Sequence, residues 1–379
     1  MRPPGSSPTI FLSAGEASGD LHGAGLARAL KARWPDARLL GLGGDRMKAE
    51  GVELLAHVSE LAIMGLVEVV RHLPFLLALR RRVFAVLAAE RVDLVIPIDY
   101  PGFNLRLARR ARERGVPVLY YVAPQVWAWH ESRTRALSQD ADMVAVILPF
   151  EEAFLRERGV SAQFVGHPLL DAPSTAESRT EWAARQGLRA EQPILAVFPG
   201  SRPQEIGRLL QIFSGAAAQV HAARPDVQPV IAAAPHLNPD LFTGTPWPRI
   251  NDAQGLLHHA DVALVKSGTT TLEATLAGIP FVVAYRVNPL SYYIARRLVR
   301  VPFITLTNLI AEREIVPELV QDKATPDALA AALLPLLNRD SPDRQAMVRS
   351  LAEVRAQLGQ PGAAERVVEL AASLIQSRK

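Results

Sequence analysis

The sequence of 379 residues contains no cysteine. A disulfide, a thiolate nucleophile and a cysteine-held zinc or iron–sulfur centre are thereby excluded, and a reducing compartment is the natural setting. Long apolar runs are missing as well. Nothing approaches the ~18 residues of a membrane span, and Met1 to Pro8 lack the charged start, apolar stretch and small-residue cleavage site of a secretory signal, so a cytosolic protein is expected. Nor does one sign of charge dominate, since 42 Lys and Arg stand against 38 Asp and Glu for a net charge of +4.

What is there is an ordinary soluble composition, 49% hydrophobic and 21% charged, unlike that of a disordered or membrane-spanning chain. The length exceeds the roughly 250–300 residues at which a single core stops growing, so two domains of similar size are expected. Basic residues gather locally in Arg71 to Arg82, Arg106 to Arg114 and Arg296 to Arg300, which suits an anionic partner. Nucleic acid is one such partner, but apolar residues interleave the first and last patches, as in a surface that lies on anionic lipid. The plainer alternative is a set of basic helix faces in water beside buried apolar ones.

Short apolar runs alternate with longer helical patterns, the signature of parallel sheets built from βαβ units. Strands are expected at Thr9 to Ser13, Arg38 to Leu42, Asp93 to Ile98, Val118 to Val122 and Met143 to Leu148, then at Ile194 to Phe198, Gln228 to Ala233, Val262 to Lys266 and Phe281 to Tyr285. Between Asp171 and Glu191 the apolar runs give way to Pro, Ser, Thr, Glu and Arg, which puts the domain boundary near residue 170. The expected division is 1–170, 171–345 and a closing helical stretch, 346–379, that crosses back to the first domain. Ala141 to Val146 echoes Ala260 to Val265, each placing an Ala-Asp pair at the start of a buried strand. The echo counts against Asp140 and Asp142 as metal ligands, because open α/β sheets bind ligands at the opposite, carboxyl ends of their strands.

Four loops carry chemistry. The first strand runs into Gly15-Glu16-Ala17-Ser18-Gly19-Asp20 and a helix; the glycines suit a phosphate, but Glu16 and Asp20 would repel one. This loop is better suited to hydrogen-bonding sugar hydroxyls or accepting a proton, while a structural reading has Ser18 or Asp20 capping the helix. The strand Asp93 to Ile98 delivers Asp99 to the ligand crevice, where partial burial raises a carboxyl toward the range of a general base; the alternative is a helix cap. In the second half, Gly200-Ser201-Arg202 supplies a close backbone approach, a hydroxyl and a planar fork for phosphate oxygens. Ser267-Gly268-Thr269 opens another helix as a second phosphate cradle, and Glu273, about one turn on, is placed to accept both hydroxyls of a ribose. Together these loops argue that the second domain holds a nucleoside diphosphate. Trp127 and Trp129 either stack on a sugar or close the core, and His258-His259 is expected as an exposed pair with no metal.

Taken in order, Ser13 to Asp20 (SAGEASGD), Asp99 with Pro101, Phe103 and Asn104, Pro124 to Trp129 (PQVWAW), Leu148 to Glu151 (LPFE), Pro199 to Arg202 (PGSR), Ser267 to Glu273 (SGTTTLE) and Asn308-Leu309 resemble the lipid-A-disaccharide synthase family over most of the chain. The family's pattern has an acidic residue where this chain has Gly102, which leaves Asp99 as the only carboxylate in its turn. The resemblance implies a GT-B type α/β fold, two Rossmann-like parallel-sheet domains facing across a cleft, with UDP on the C-terminal one. It implies an inverting glycosyltransferase that moves 2,3-diacylglucosamine from its UDP form to 2,3-diacylglucosamine 1-phosphate, making a β(1→6) disaccharide without cofactor or metal. Asp99 is then the expected base, with Glu16 or Asp20 as rival or helper. Donor contacts are expected from Gly200, Ser201, Arg202, Ser267, Gly268, Thr269, Glu273 and Asn308, and acceptor or sugar contacts from Ser13, Gly15, Ser18, Asn104 and Trp127. The acyl chains need an apolar path, for which Leu61 to Leu79 beside Arg80 to Arg82 implies peripheral contact with the inner face of the cell membrane, unless that segment is two packed helices broken at Pro74. The nearest alternative is a UDP-sugar epimerase or hydrolase of the same architecture; a non-catalytic nucleotide-sugar-binding protein would bind UDP without turnover.

Overall fold

The computed structural model describes residues 7–61, 66–171, 177–235, 237–288, 292–293, 297 and 301–377, with side chains of the helix Leu66–Ala89 described from Pro74 onward. The chain divides into two compact units, one of Met1–Ala172 with Leu358–Lys379 and the other of Pro173–Gln357. Each is an all-parallel sheet with helical connections. The first holds β1 (Thr9–Ala14), β2 (Arg38–Gly43), β3 (Val52–His57), β4 (Leu94–Ile98), β5 (Leu119–Tyr121), β6 (Met143–Val146) and β7 (Ala162–Phe164), in the order β3-β2-β1-β4-β5-β6-β7. The second holds β8 (Ile194–Phe198), β9 (Gln228–Ala232), β10 (Arg249–Ile250), β11 (Val262–Lys266), β12 (Phe281–Tyr285) and β13 (Glu318–Val320), in the order β10-β9-β8-β11-β12-β13.

The nine strands that the apolar runs predict are all present, with ends moved by a residue or two. Each is an inner strand, buried along its length because helices cover both faces of a parallel sheet. The four strands the runs do not predict, β3, β7, β10 and β13, are the four sheet edges. They are short or half exposed, so an unbroken apolar run is not required of them. The core of the first unit joins Phe11, Leu40, Leu42, Val95, Tyr120, Val144 and Val146 of the sheet to Leu79, Val83, Leu87, Leu107 and Ala111 of two helices. Each of the Leu, Val and Phe side chains among them contributes roughly 1.5–3 kcal/mol by leaving water.

Both sheets wind outward in two directions from their first strand, so the strand order reverses between β1 and β4 and again between β8 and β11. Connections leaving the carboxyl ends at such a point diverge and leave a crevice for ligands. At the amino ends, aspartates complete the ladder instead. Asp93 accepts the Thr9 amide at 2.7 Å, Asp142 that of Val118 at 2.8 Å and Asp261 that of Ile194 at 3.0 Å. Asp142 also pairs with Arg112 at 2.6 Å, so it serves the strand edge. The closing stretch changes units at Leu358. The helix Pro342–Gln357 lies in the second unit, while Ala363–Gln376 packs on the helix Ala17–Arg33 and is capped by Asp171, which accepts Gly362 N at 2.6 Å and Ala363 N at 3.1 Å.

The helix Leu66–Ala89 runs through Pro74 as one element, not two. Of the apolar path Leu61 to Leu79, residues 62–65 and the side chains to 73 lie outside the described residues, as does the patch Arg296 to Arg300 apart from Arg297. Among the described residues no helix is long and apolar enough to cross a membrane.

Asp261 is buried and also pairs with Arg179 at 2.8 Å and Arg339 at 3.1 Å. Asp261→Ala leaves the buried Ile194 amide without its acceptor and removes the carboxylate, though not the backbone carbonyls, from the partly buried Arg179 guanidinium, so the urea midpoint should fall by the equivalent of about 3 kcal/mol.

Candidate active site

At the carboxyl end of β1 the chain turns through Gly15 and Glu16 into the helix Ala17–Arg33. A Cβ at Gly15 would lie 2.2 Å from the Tyr100 ring, so only glycine lets the two loops close on each other. Glu16 and Ser18 are exposed there. Neither Ser18 nor Asp20 caps this helix. Asp20 is buried and accepts the amides of Gly44 at 2.6 Å, Arg46 at 3.2 Å and Met47 at 3.1 Å, which makes it the cap of the neighbouring helix Asp45–Ala49. Both of its oxygens are engaged by backbone amides, so in this structure the carboxylate expected as a rival or helper base serves as a cap.

The turn after β4 is strained. Asp99 (φ 46°) and Tyr100 (φ 49°) both adopt the left-handed conformation, and at the end of β5 so does the β-branched Val122 (φ 59°). The Asp99 carbonyl is held by Asn104 Nδ2 at 2.7 Å and by the Tyr120 hydroxyl at 2.7 Å. Asn104, wholly buried, also donates to Ile98 O at 3.1 Å and Ser13 O at 3.0 Å and accepts from Ser13 Oγ at 2.6 Å. Ser13 and Asn104, expected on a sugar, are therefore internal braces that tie the ends of β1 and β4 together. The Asp99 carboxyl is pushed up to about 6, by burial first and the charge of Glu16 second, against a lowering contribution from the Tyr100 amide. Glu16 and Asp99 thus share one corner of the fold.

Glu151 belongs to this corner and was not among the expected site residues. It is buried, accepts Trp127 Nε1 at 3.0 Å and Leu148 N at 3.1 Å, and is pushed up to about 7 by burial against those bonds, with the charge of Asp99 adding to the rise. Its signal was available, because Leu148 to Glu151 follows the carboxyl end of a buried strand as Asp99 does. Trp127 spends its N–H on Glu151 and sets its ring edge-on to Phe150 at 5.1 Å, so it packs half-buried, whereas Trp129 is 48% exposed.

In the second unit Gly200 (φ 132°) ends β8, and exposed Ser201 and Arg202 lead into the helix Pro203–Ala223. Across the switch, Lys266 ends β11, Ser267 donates to Ile304 O at 3.0 Å, and exposed Gly268 and Thr269 open the helix Thr269–Ala277. Glu273 follows on that helix, its carboxyl raised by burial and eased by the Thr270 hydroxyl. Asn308 is buried and fully engaged: its amide donates to Val316 O and Glu318 Oε1, both at 2.9 Å, and accepts from Ile315 N at 2.9 Å and Val316 N at 3.0 Å. That exhausts the hydrogen-bonding capacity of the side chain, so Asn308 clamps its own loop here instead of offering a free amide to the donor. His258 is exposed, but His259 is buried against Trp182 at 5.0 Å, which corrects the expected exposed pair. Among the described residues no three acidic or histidine side chains gather where they could hold a metal ion.

The first unit thus gathers acidic groups at its switch point, and the second gathers Arg202, Lys266 and helix amides. Solved structures with this architecture do a range of chemistry. A glycosyltransferase of kitacinnamycin aligns with a TM-score of 0.68 at 18% identity, over 98% of this chain and 100% of that one. A putative UDP-N-acetylglucosamine 2-epimerase from Listeria monocytogenes aligns at 0.69 and 14%, over 98% of each. At such identities the likeness establishes the GT-B type fold and leaves the reaction open. The sequences speak more narrowly: the family described as lipid-A-disaccharide synthetase matches residues 10–372, and a lipid-A-disaccharide synthase from Acidobacterium capsulatum is 44% identical over 98% of both chains. On that agreement along almost its entire length, the chain belongs to the lipid-A-disaccharide synthase family of glycosyltransferases.

Proposed function

We propose that the protein transfers 2,3-diacylglucosamine from its UDP form to the 6-hydroxyl of 2,3-diacylglucosamine 1-phosphate, with inversion, and releases UDP. The observation that carries this reading is Asp99, a shielded carboxylate with a raised pKa, held rigidly at the switch point of the first sheet. In the proposed step the acceptor oxygen attacks the anomeric carbon as its proton passes to Asp99, and the C–O bond to UDP breaks with its electron pair going to the diphosphate. A base that titrates near 6 is ionised at neutral pH yet basic enough to assist an alcohol. Arg202 and the amides at the start of the helix Thr269–Ala277 would meet the charge growing on the diphosphate, and Glu273 the ribose. Glu16, exposed beside Asp99, is the helper carboxylate and, with Ser18, the expected acceptor contact.

Purified protein given UDP-2,3-diacylglucosamine should release UDP only when the acceptor is added, alongside a product with the disaccharide mass. Release without acceptor would favour the hydrolase or epimerase reading. Asp99→Asn should lower turnover by roughly 100-fold to 10,000-fold while leaving the affinity for UDP unchanged, as for loss of a general base.

The sign of the Glu16 effect is also fixed. Its negative charge helps raise the carboxyl of Asp99, so Glu16→Gln should move the acid limb of the kcat/KM profile to lower pH.

The reading also puts the protein at the cytoplasmic face of the inner membrane as a peripheral partner. Phe75 and Leu77 are exposed on the helix Leu66–Ala89, and Arg80, Arg106, Arg109 and Arg110 line a groove beside Phe84 in which Glu113 is the one acidic residue and pairs with Arg109 and Arg110. Reversing the charge at Arg80, Arg81 and Arg82 should weaken flotation with vesicles of anionic phospholipid; unchanged flotation would count against membrane docking.

A further inference from the structure

The phosphate seat between β8 and β11 is filled by one of the protein's own groups. Glu205, in the first turn of the helix Pro203–Ala223, accepts the Ser201 amide at 3.0 Å and forms an ion pair with Lys266 Nζ at 2.9 Å. The side chains of Glu205 and Lys266 are only 15% and 20% exposed, and half-exposed Arg202 stands 3.7 Å from the same carboxylate. Gly200 makes room for it: a Cβ there would sit 2.6 Å from both Cβ and Oε2 of Glu205, and its φ of 132° is one that other residues rarely adopt. Burial pushes the Glu205 carboxyl up, but Lys266, Ser201 and Arg202 together hold it below its ordinary value, so it remains an anion. A carboxylate thus rests on one backbone amide and two cations, at the carboxyl end of a switch-point strand, the donor set that a phosphate group requires.

We propose that Glu205 is a built-in substitute for the donor's diphosphate, and that Lys266 is a diphosphate-binding residue which passes from Glu205 to the donor when the carboxylate is displaced. The inference rests on the donor-site reading above and adds to it two residues that reading does not use. A half-buried ammonium with no partner is costly, so Glu205 keeps Lys266 in place while the seat is empty. A diphosphate carries more charge and more acceptor oxygens than one carboxylate, and so takes the seat, but only by breaking the Glu205 contacts. The competition loosens the nucleoside diphosphate product as well as the donor, and thereby favours release over uniformly tight binding.

Calorimetric titration of the full chain with UDP and with uridine tests this. Glu205→Gln removes the competing charge and should tighten UDP binding by about tenfold, a gain that loss of a merely structural ion pair would not produce. Lys266→Met should weaken UDP binding by about tenfold or more, leave uridine binding unchanged, and be rescued by Lys266→Arg. Glu205→Gln binding UDP equally or more weakly, or Lys266→Met binding it as the unaltered chain does, would overturn the proposal while the donor site stands. An unaltered chain that binds neither UDP nor uridine would remove the donor-site reading itself, and this inference with it.

Discussion

Two successive residues without a glycine, Asp99 and Tyr100, are held in left-handed backbone at the end of β4. Such conformations cost of order 1–3 kcal/mol each and persist only where the surroundings over-determine them. Here the surroundings are specific. Asn104 and Tyr120 both donate to the Asp99 carbonyl, Ser13 fixes the orientation of the Asn104 amide, and Gly15 leaves space for the Tyr100 ring. Much of the SAGEASGD loop and of the turn at Asp99 is therefore one device. It fixes the backbone from which the Asp99 carboxylate projects, and it keeps that carboxylate shielded, which raises its pKa. Catalysis by a positioned base depends on both.

The two units use one topology for opposite charges. Each sheet reverses its strand order beside its first strand, and aspartates complete the ladder at the amino ends, Asp93 and Asp142 in the first and Asp261 in the second. At the carboxyl ends they diverge. The first unit collects Glu16, Asp99 and Glu151, and there burial and neighbouring charge favour the protonated forms of Asp99 and Glu151. The second collects Arg202, Lys266 and helix N-terminal amides, which favour an anion, with Glu205 filling the place of one. A hydroxyl to be deprotonated and a diphosphate to be released need these two environments respectively.

The inner strands, the parallel pairing and the loops that carry chemistry were legible in the sequence, because a parallel strand covered on both faces must be an apolar run and its carboxyl end must lead to the ligand side. The edges β3, β7, β10 and β13 were not, since a strand with one free side needs neither length nor continuous apolarity. Within the site, residue type alone did not reveal which way a side chain turns. Ser13, Asp20, Asn104 and Asn308 carry the groups that bind sugars and nucleotides, yet each spends them on the protein's own backbone and side chains. Polar residues in glycine-rich motifs divide between contacting ligand and holding the loop, and only the hydrogen-bond inventory separates the two. Glu151 shows the reverse: the rule that singled out Asp99 applies to it as well, and its burial makes it part of the same acidic corner.

In the proposed mechanism this braced turn makes Asp99 a base suited to neutral pH. Titration of the Asp99 carboxyl carbon by 13C NMR in the unaltered protein should give a midpoint of about 6, raised chiefly by burial; a midpoint at 3.8, the ordinary value for an aspartate, would rule this base out.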